Sequence, residues 1–228
     1  MKTMVIVGAG KLLGLSMAKE FGKQGFHIVM IARNEQHLQQ LQQILINQKI
    51  SSSIYSVDIC NLDKLANTFK NINKSYGKID ILAFSPNFGH INSTNVLDLK
   101  PNDIDSAISG NLKAAIQSVN AVLSKMLSYN SGALLFTTGL SSIYPNSNMS
   151  ESTLAKSALR NYILMLDKSL IDQNIFVGHI SLGIFLKENS HDVSDPDTIA
   201  QRWYEKYKNN EHGEELYPLG VTPETIIK

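Results

Sequence analysis

The chain has 228 residues, 43% of them hydrophobic and 18% charged, which suits one compact domain of somewhat more than typical size, or at most two small ones; its 21 basic and 20 acidic side chains sum to +1, too little to attract a nucleic-acid backbone or an anionic membrane. A single cysteine, Cys60, excludes an intrachain disulfide framework and a cysteine zinc cluster, and the six histidines lack metal-ligand spacing. No apolar run reaches the ~18 residues that cross a bilayer, and Met4 to Ala9 is too short and glycine-punctuated for a signal peptide, so a cytoplasmic protein is expected.

Short apolar runs alternate with longer amphipathic segments, the pattern of an α/β fold with a mainly parallel sheet. Met4 to Val7 reads as the first strand and Leu12 to Gln24 as a helix; Phe26 to Ala32 is the second strand and Gln36 to Gln48 a helix with Leu38, Leu41 and Leu45 on one face. Ile54 to Ile59 is expected as strand three, Leu62 to Tyr76 as a helix, and Ile79 to Phe84 as strand four, stopped by Pro86. A polar loop from Asn87 to Lys100 leads into the longest helical pattern, Asp103 to Leu127. Ala133 to Thr137 is strand five, Glu151 to Leu170 a helix, Ile175 to Leu182 strand six, and Pro196 to Lys208 a closing helix bearing Trp203, Tyr204 and Tyr207. No repeat or linker divides the chain. The expectation is a single Rossmann-like doubly wound domain over residues 1–228, a three-layer α/β/α arrangement.

Gly8, Gly10 and Gly14 lie where the first strand hands over to a helix. In that context the first glycine serves a tight turn, the second a close approach and the third helix–sheet packing, while the helix N-terminus presents N–H groups to a pyrophosphate through Gly10, Lys11, Leu12 and Leu13. The acidic residue that would hold a ribose 2′-hydroxyl at the end of the second strand is absent, and Arg33 and Asn34 stand there instead. Arg33, helped by Lys11, suits a 2′-phosphate, so NADP(H) is expected over NAD(H). Asp58 and Ile59, after the third strand, are placed where an adenine would rest.

Together with Asn111 in the fourth helical pattern, Lys156 in the fifth and Ser181-Leu182-Gly183-Ile184 after the sixth strand, these features resemble the short-chain dehydrogenase/reductase superfamily from Lys2 to about Tyr217. The resemblance implies hydride transfer between a nicotinamide cofactor and a small carbonyl or alcohol. It also implies a homodimer or homotetramer through the fourth and fifth helical patterns, with Ala114, Ala121, Leu159 and Leu166 among the facing residues. Phe84, Ser85 and Pro86 take the place of the family's N-A-G after strand four, and Leu12 the place of the middle glycine of its T-G-x-x-x-G-x-G loop. Gly183 and Ile184 correspond to the backbone that holds the nicotinamide carboxamide.

The resemblance implies that the lysine, here Lys156, holds the nicotinamide ribose and lowers the pKa of the proton-donating tyrosine, and that Asn111 supports a water chain; that tyrosine stands four residues before the lysine, one helical turn away, and here the residue is Ser152. The family's carbonyl-polarising serine aligns with Gly139, beside Thr138, with Ser141 and Ser142 following. Thr138 is therefore a candidate hydroxyl, and Tyr144, in the loop before the fifth helical pattern, a candidate substitute acid. Tyr162 lies six residues beyond Lys156 and on another face. The substrate cleft is expected between Asn87 to Asn92, Tyr144 to Met149 and Phe185 to Ser190; His90, His179 and His191 are read as ordinary loop or strand histidines, and Cys60 as an unreactive one. With the tyrosine replaced, the second reading is a catalytically silent NADP(H)-binding sensor or scaffold.

Overall fold

The computed structural model describes residues 1–86 and 94–225. Strands β1 (Thr3–Val7), β2 (His27–Ala32), β3 (Ser52–Ser56), β4 (Ile81–Phe84), β5 (Gly132–Gly139), β6 (Ile175–Leu182) and β7 (Gly213–Tyr217) form one parallel sheet in the order β3-β2-β1-β4-β5-β6-β7. The order reverses between β1 and β4, and a Rossmann-like sheet opens a crevice at the carboxyl ends of those two strands. Strands β1 and β4 are buried on both faces, which is why they read as unbroken apolar runs rather than alternating ones.

Helices α1 (Leu13–Lys23), α2 (Glu35–Asn47) and α7 (Pro196–Lys208) bury Met17, Phe21, Leu38, Leu41 and Trp203 against one face of the sheet. Helices α3 (Leu62–Tyr76), α5 (Ala114–Ser128) and α6 (Ser150–Leu170) bury Phe69, Val119, Leu159 and Ile163 against the other. Trp203 is wholly enclosed, and Tyr204 and Tyr207 pack on the Phe21 ring; this group belongs to the core rather than to the rim of the crevice. Among the described residues no helix is long and apolar enough to cross a membrane.

Several boundaries differ from the sequence expectation for identifiable reasons. Strand β3 begins at Ser52, two residues earlier than expected, because its pairing with Ile28 of β2 supplies the register that the polar residues Ser52 and Ser53 do not advertise. Strand β7, Glu-rich and on the sheet edge, was not anticipated at all. The expected continuous helix from Asp103 is broken into a 3-10 turn (Pro101–Ile104), α4 (Asp105–Ile108), a π-helical turn (Ser109–Lys113) and α5. Ala114 and Leu159, expected on an oligomer face, are buried in this chain's own core; the apolar side chains α6 does expose are Leu154 and Met165.

Candidate active site

The glycine turn at the end of β1 is shaped by its neighbour. Gly8 has φ of +86°, and a Cβ there would stand 2.5 Å from the Pro86 Cα, so the Ser85-Pro86 segment after β4 crosses directly over it. Ser85 N–H donates to the Val7 carbonyl at 3.0 Å and ties the two strand ends together. Gly14 lies against the Ala9 backbone, 2.9 Å from its Cα by the same measure, and brings α1 close to the turn. Around Gly10 a Cβ would meet nothing within 4 Å, leaving that side of the loop open.

Helix α1 has no side-chain cap at its N-terminus, no acidic residue in its first turn, and Leu12 at the N-cap position. Leu15 N–H is taken by the Gly10 carbonyl at 2.9 Å, which leaves the earlier N–H groups of Leu13 and Gly14 and the positive end of the dipole to an external anion at the crevice. The loop therefore fits a dinucleotide pyrophosphate. Leu12 is half-buried and Leu13 packs into the core, so Leu13 would offer backbone only. Lys11 is exposed with its Nζ 3.9 Å from Glu188, in the segment that follows β6.

At the end of β2 the Arg33 carbonyl accepts a hydrogen bond from Ser56 Oγ at 2.9 Å, which fixes the backbone of this position against β3. Asn34 caps α2, its Oδ1 accepting the His37 N–H at 2.9 Å. Asp58 Oδ1 accepts from Cys60 N at 3.0 Å, and Ile59 is buried in the core, so an adenine there would meet Asp58 and backbone rather than the Ile59 side chain. Cys60 is half-buried with Sγ 3.7 Å from the Ser106 carbonyl, and burial pushes its thiol pKa up, consistent with an unreactive role.

The catalytic side is where the sequence and the geometry part most. Asn111 sits in the middle of the π turn, buried, its Nδ2 donating to the Ala107 carbonyl at 2.8 Å. Such insertions are common at functional sites because they displace a helix face locally. Lys156 is 8% exposed, and no described residue gives it a hydrogen bond or ion pair; loss of hydration lowers its pKa to about 8. One turn earlier Ser152 is fully enclosed with an unpartnered Oγ.

Thr138 does not point its hydroxyl at a substrate space. Its Oγ1 is 2.8 Å from both His179 Nε2 and Ser181 Oγ, and Ser181 donates to Glu214 Oε1 at 2.7 Å. Glu214 in turn is clasped by the Arg160 guanidinium, Nε reaching both carboxylate oxygens at 2.9 Å. Burial lowers the His179 pKa to about 4, so it is neutral in this cluster. His179 is a strand histidine, as the sequence reads, but the cluster it forms with Thr138, Ser181, Arg160 and Glu214 is not legible there, although His179 and Ser181 lie two apart in an otherwise apolar strand and so share a face.

Tyr144 is 38% exposed, and its hydroxyl makes no hydrogen bond among the described residues. Tyr162 is unsuited to donate a proton, since burial raises its pKa to about 12. Gly183 N–H is engaged by the Tyr217 carbonyl of β7 at 2.8 Å, and the residue is pressed between Val221 and Leu140, so that N–H is not free for a carboxamide; Ile184 beside it is buried. Of the expected cleft walls, Asn87 to Asn92 with His90 lie outside the described residues. The Tyr144 to Met149 wall is tied to the chain beyond, Val96 N–H donating to Ser147 O and the Glu151 carboxylate accepting Thr94 N–H at 3.0 Å. The segment after Phe185 folds on itself, with Lys187 N–H on Ser194 O.

A glycine turn at the switch point, an uncapped helix behind it, and an asparagine and a buried lysine on the neighbouring helices define the class of a nicotinamide-type Rossmann protein. The short chain dehydrogenase family model matches residues 2–197, and the chain belongs to that family. An uncharacterized oxidoreductase of Staphylococcus epidermidis is 27% identical over 183 residues, covering 80% of this chain and 77% of the relative. Among solved structures, a putative oxidoreductase from Escherichia coli superposes with a TM-score of 0.86 at 18% identity over 98% of both chains. The L-sorbose reductase of Gluconobacter frateurii, complexed with NADPH and L-sorbose, gives 0.84 at 19% over 97% of both.

Proposed function

We propose that the chain is an NADP(H)-dependent oxidoreductase that interconverts a small carbonyl compound and its alcohol. The observation that carries this reading is the uncapped N-terminus of α1 beneath an open Gly10, beside the β1/β4 crevice. Gly8, Gly10, Lys11, Leu12, Leu13 and Gly14 would hold the pyrophosphate, chiefly by backbone, and Arg33 with Asn34 the 2′-phosphate side. Asp58 would meet the adenine, Ser85 and Pro86 would border the ribose, and Ile184 the nicotinamide end. When bound, the reduced nicotinamide supplies a hydride. The chain's own part is to orient the carbonyl and move a proton at its oxygen, with Lys156 and Asn111 on that side of the crevice. The NADPH bound by the sorbose reductase supports the choice of cofactor. This reading places the protein in the cytoplasm as a pair or tetramer of identical chains.

The second reading, a cofactor-binding sensor or scaffold without turnover, is favoured by Ser152 in place of the tyrosine. Titration with NADPH and NADH, followed by nicotinamide fluorescence, and then a screen of aldehydes and ketones with the tighter cofactor, separates the cases. NADPH is expected to bind at least tenfold more tightly than NADH and to be oxidised with some carbonyl. Equal affinities would sink the NADP(H) preference, binding without turnover would select the sensor, and no binding of either would end both readings.

A further inference from the structure

We propose that Lys156 itself is the proton donor to the carbonyl oxygen, taking over the role that a tyrosine has in the family and that Ser152 cannot fill. The inference rests on the oxidoreductase reading above and deepens it. Two positions that in the family surround the reacting oxygen, those of Ser152 and Gly139, are changed together in this chain, and the hydroxyl next to them is turned away. Ser152 is too short and too weakly acidic to replace a phenol, and its Oγ has no partner through which a proton could leave. Gly139 has no side chain at all, and the Lys156 Nζ stands 3.7 Å from where its Cβ would be. Thr138, the adjacent hydroxyl, is turned into the cluster with His179 and Ser181.

The ammonium of Lys156 is thus the ionisable group beside the position that the polarising serine would have occupied. The groups around that position are neutral, Ser141 Oγ from the turn after β5 and the Leu182 carbonyl from β6, each 3.8 Å from the missing Cβ. On its own helix Ser152 is neutral, Glu151 is directed to Thr94, and Arg160, one turn on, is paired with Glu214 of β7; across from it Asn111 is bonded to Ala107. Among the described residues no carboxylate holds the ammonium in its charged form, so burial acts on it unopposed, and its pKa near 8 gives a cation at neutral pH that parts with a proton readily. In the reductive direction hydride supplied by the reduced nicotinamide adds to the carbonyl carbon. The C=O π pair moves to oxygen, the oxygen takes a proton from Nζ, and a neutral amine remains to be reprotonated by solvent. The oxidative direction is the reverse, with the amine accepting the alcohol proton.

The test combines a titration of the protein alone with kinetics. In 13Cε/15Nζ-labelled protein the lysine resonances are followed from pH 6 to 11, and the signal missing from Lys156→Arg is assigned; this separates it from Lys206, which burial also lowers. A midpoint near 8 for Lys156 is expected. Lys156→Arg keeps the positive charge but cannot release its proton, so with the best carbonyl from the screen kcat should fall roughly 10²- to 10⁴-fold while NADPH affinity changes less than about threefold. In the wild type, kcat for reduction should fall about tenfold per pH unit above the same midpoint. A Lys156 that titrates with the exposed lysines, a Lys156→Arg variant that keeps its turnover, or a Tyr144→Phe variant that loses it would each overturn the assignment while leaving the oxidoreductase reading intact. Failure of wild type to bind NADPH, or binding without any carbonyl turnover, would overturn the oxidoreductase reading and the proton-donor assignment with it.

Discussion

At the scale of single residues the two glycines of the first loop have separable roles. Gly8 is fixed by protein geometry, because its left-handed φ and the Pro86 backbone 2.5 Å from a Cβ position both exclude a side chain. Gly8→Ala should cost about 3 kcal/mol in urea unfolding, combining ~1–2 for the backbone conformation with a similar amount for the overlap. A Cβ on Gly10 would meet nothing within 4 Å, so Gly10→Ala should stay within about 0.5 kcal/mol of wild type in the same measurement. It should nevertheless weaken NADPH binding at least tenfold, because the added methyl lies on the side open to the phosphates. A Gly10→Ala protein that unfolds early, or that binds NADPH as before, would contradict this division. The glycines were legible from the sequence because a strand-to-helix junction gives them meaning. The Lys156 environment was not, since helical spacing says where a side chain starts but not which partners it lacks.

Elements, rather than residues, explain what the sequence concealed. Strand β7 is polar because it is an edge strand, yet it is held by more than its ladder: Glu214, paired in register with His179, receives Ser181 and the Arg160 guanidinium of α6. Arg160, Glu214 and Ser181 thereby join α6, β7 and β6 in one polar cluster, and Thr138 extends it to β5. Neither Arg160 nor Glu214 suggested a partner across more than fifty residues of chain, because side-chain pairing between distant elements leaves no periodic trace. The broken helix around Asn111 was concealed differently: a π turn inserts without changing hydrophobic spacing enough to mark it. Replacing Arg160 by Met leaves the Glu214 carboxylate largely buried without its main partner and should cost about 2–3 kcal/mol. The double variant with Glu214→Gln should recover part of that loss, since the uncompensated charge is then gone. Urea unfolding of the two single variants and the pair gives the coupling; additive losses would show that the cluster does not act as a unit.

For the whole molecule, the two most deeply perturbed bases set how stability follows pH. His179 has its pKa lowered by burial to about 4, so below its unfolded value of about 6.5 the unfolded chain binds a proton that the folded chain refuses. Stability is therefore present above pH 6.5 and lost progressively toward pH 4, by about 3 kcal/mol for this residue alone. Lys156, lowered by burial to about 8 from an unfolded value of 10.5, acts in the same sense at the other end, its penalty being fully present below pH 8 and relieved as pH rises toward 10.5. The carboxylates reinforce only the acid limb. Glu214 is raised by burial but held low overall by Arg160 and Ser181, and Glu211 is drawn down to about 2 by Arg202, so their contributions are fully present above about pH 4.5 and are lost progressively as pH falls below it, for Glu211 toward about 2. Stability measured by urea unfolding from pH 4 to 10 should accordingly rise, level off between about 6.5 and 8, and rise again. His179→Asn should flatten the first rise and Lys156→Met the second, and Lys156→Met should also be more stable than wild type at pH 7 by about 3 kcal/mol while losing turnover. A buried lysine whose charge costs folding stability shows the opposition between stability and activity expected if its proton is what the reaction uses. A Lys156→Met protein no more stable than wild type would mean that Nζ finds hydration in solution and that the barrier to its ionisation is small.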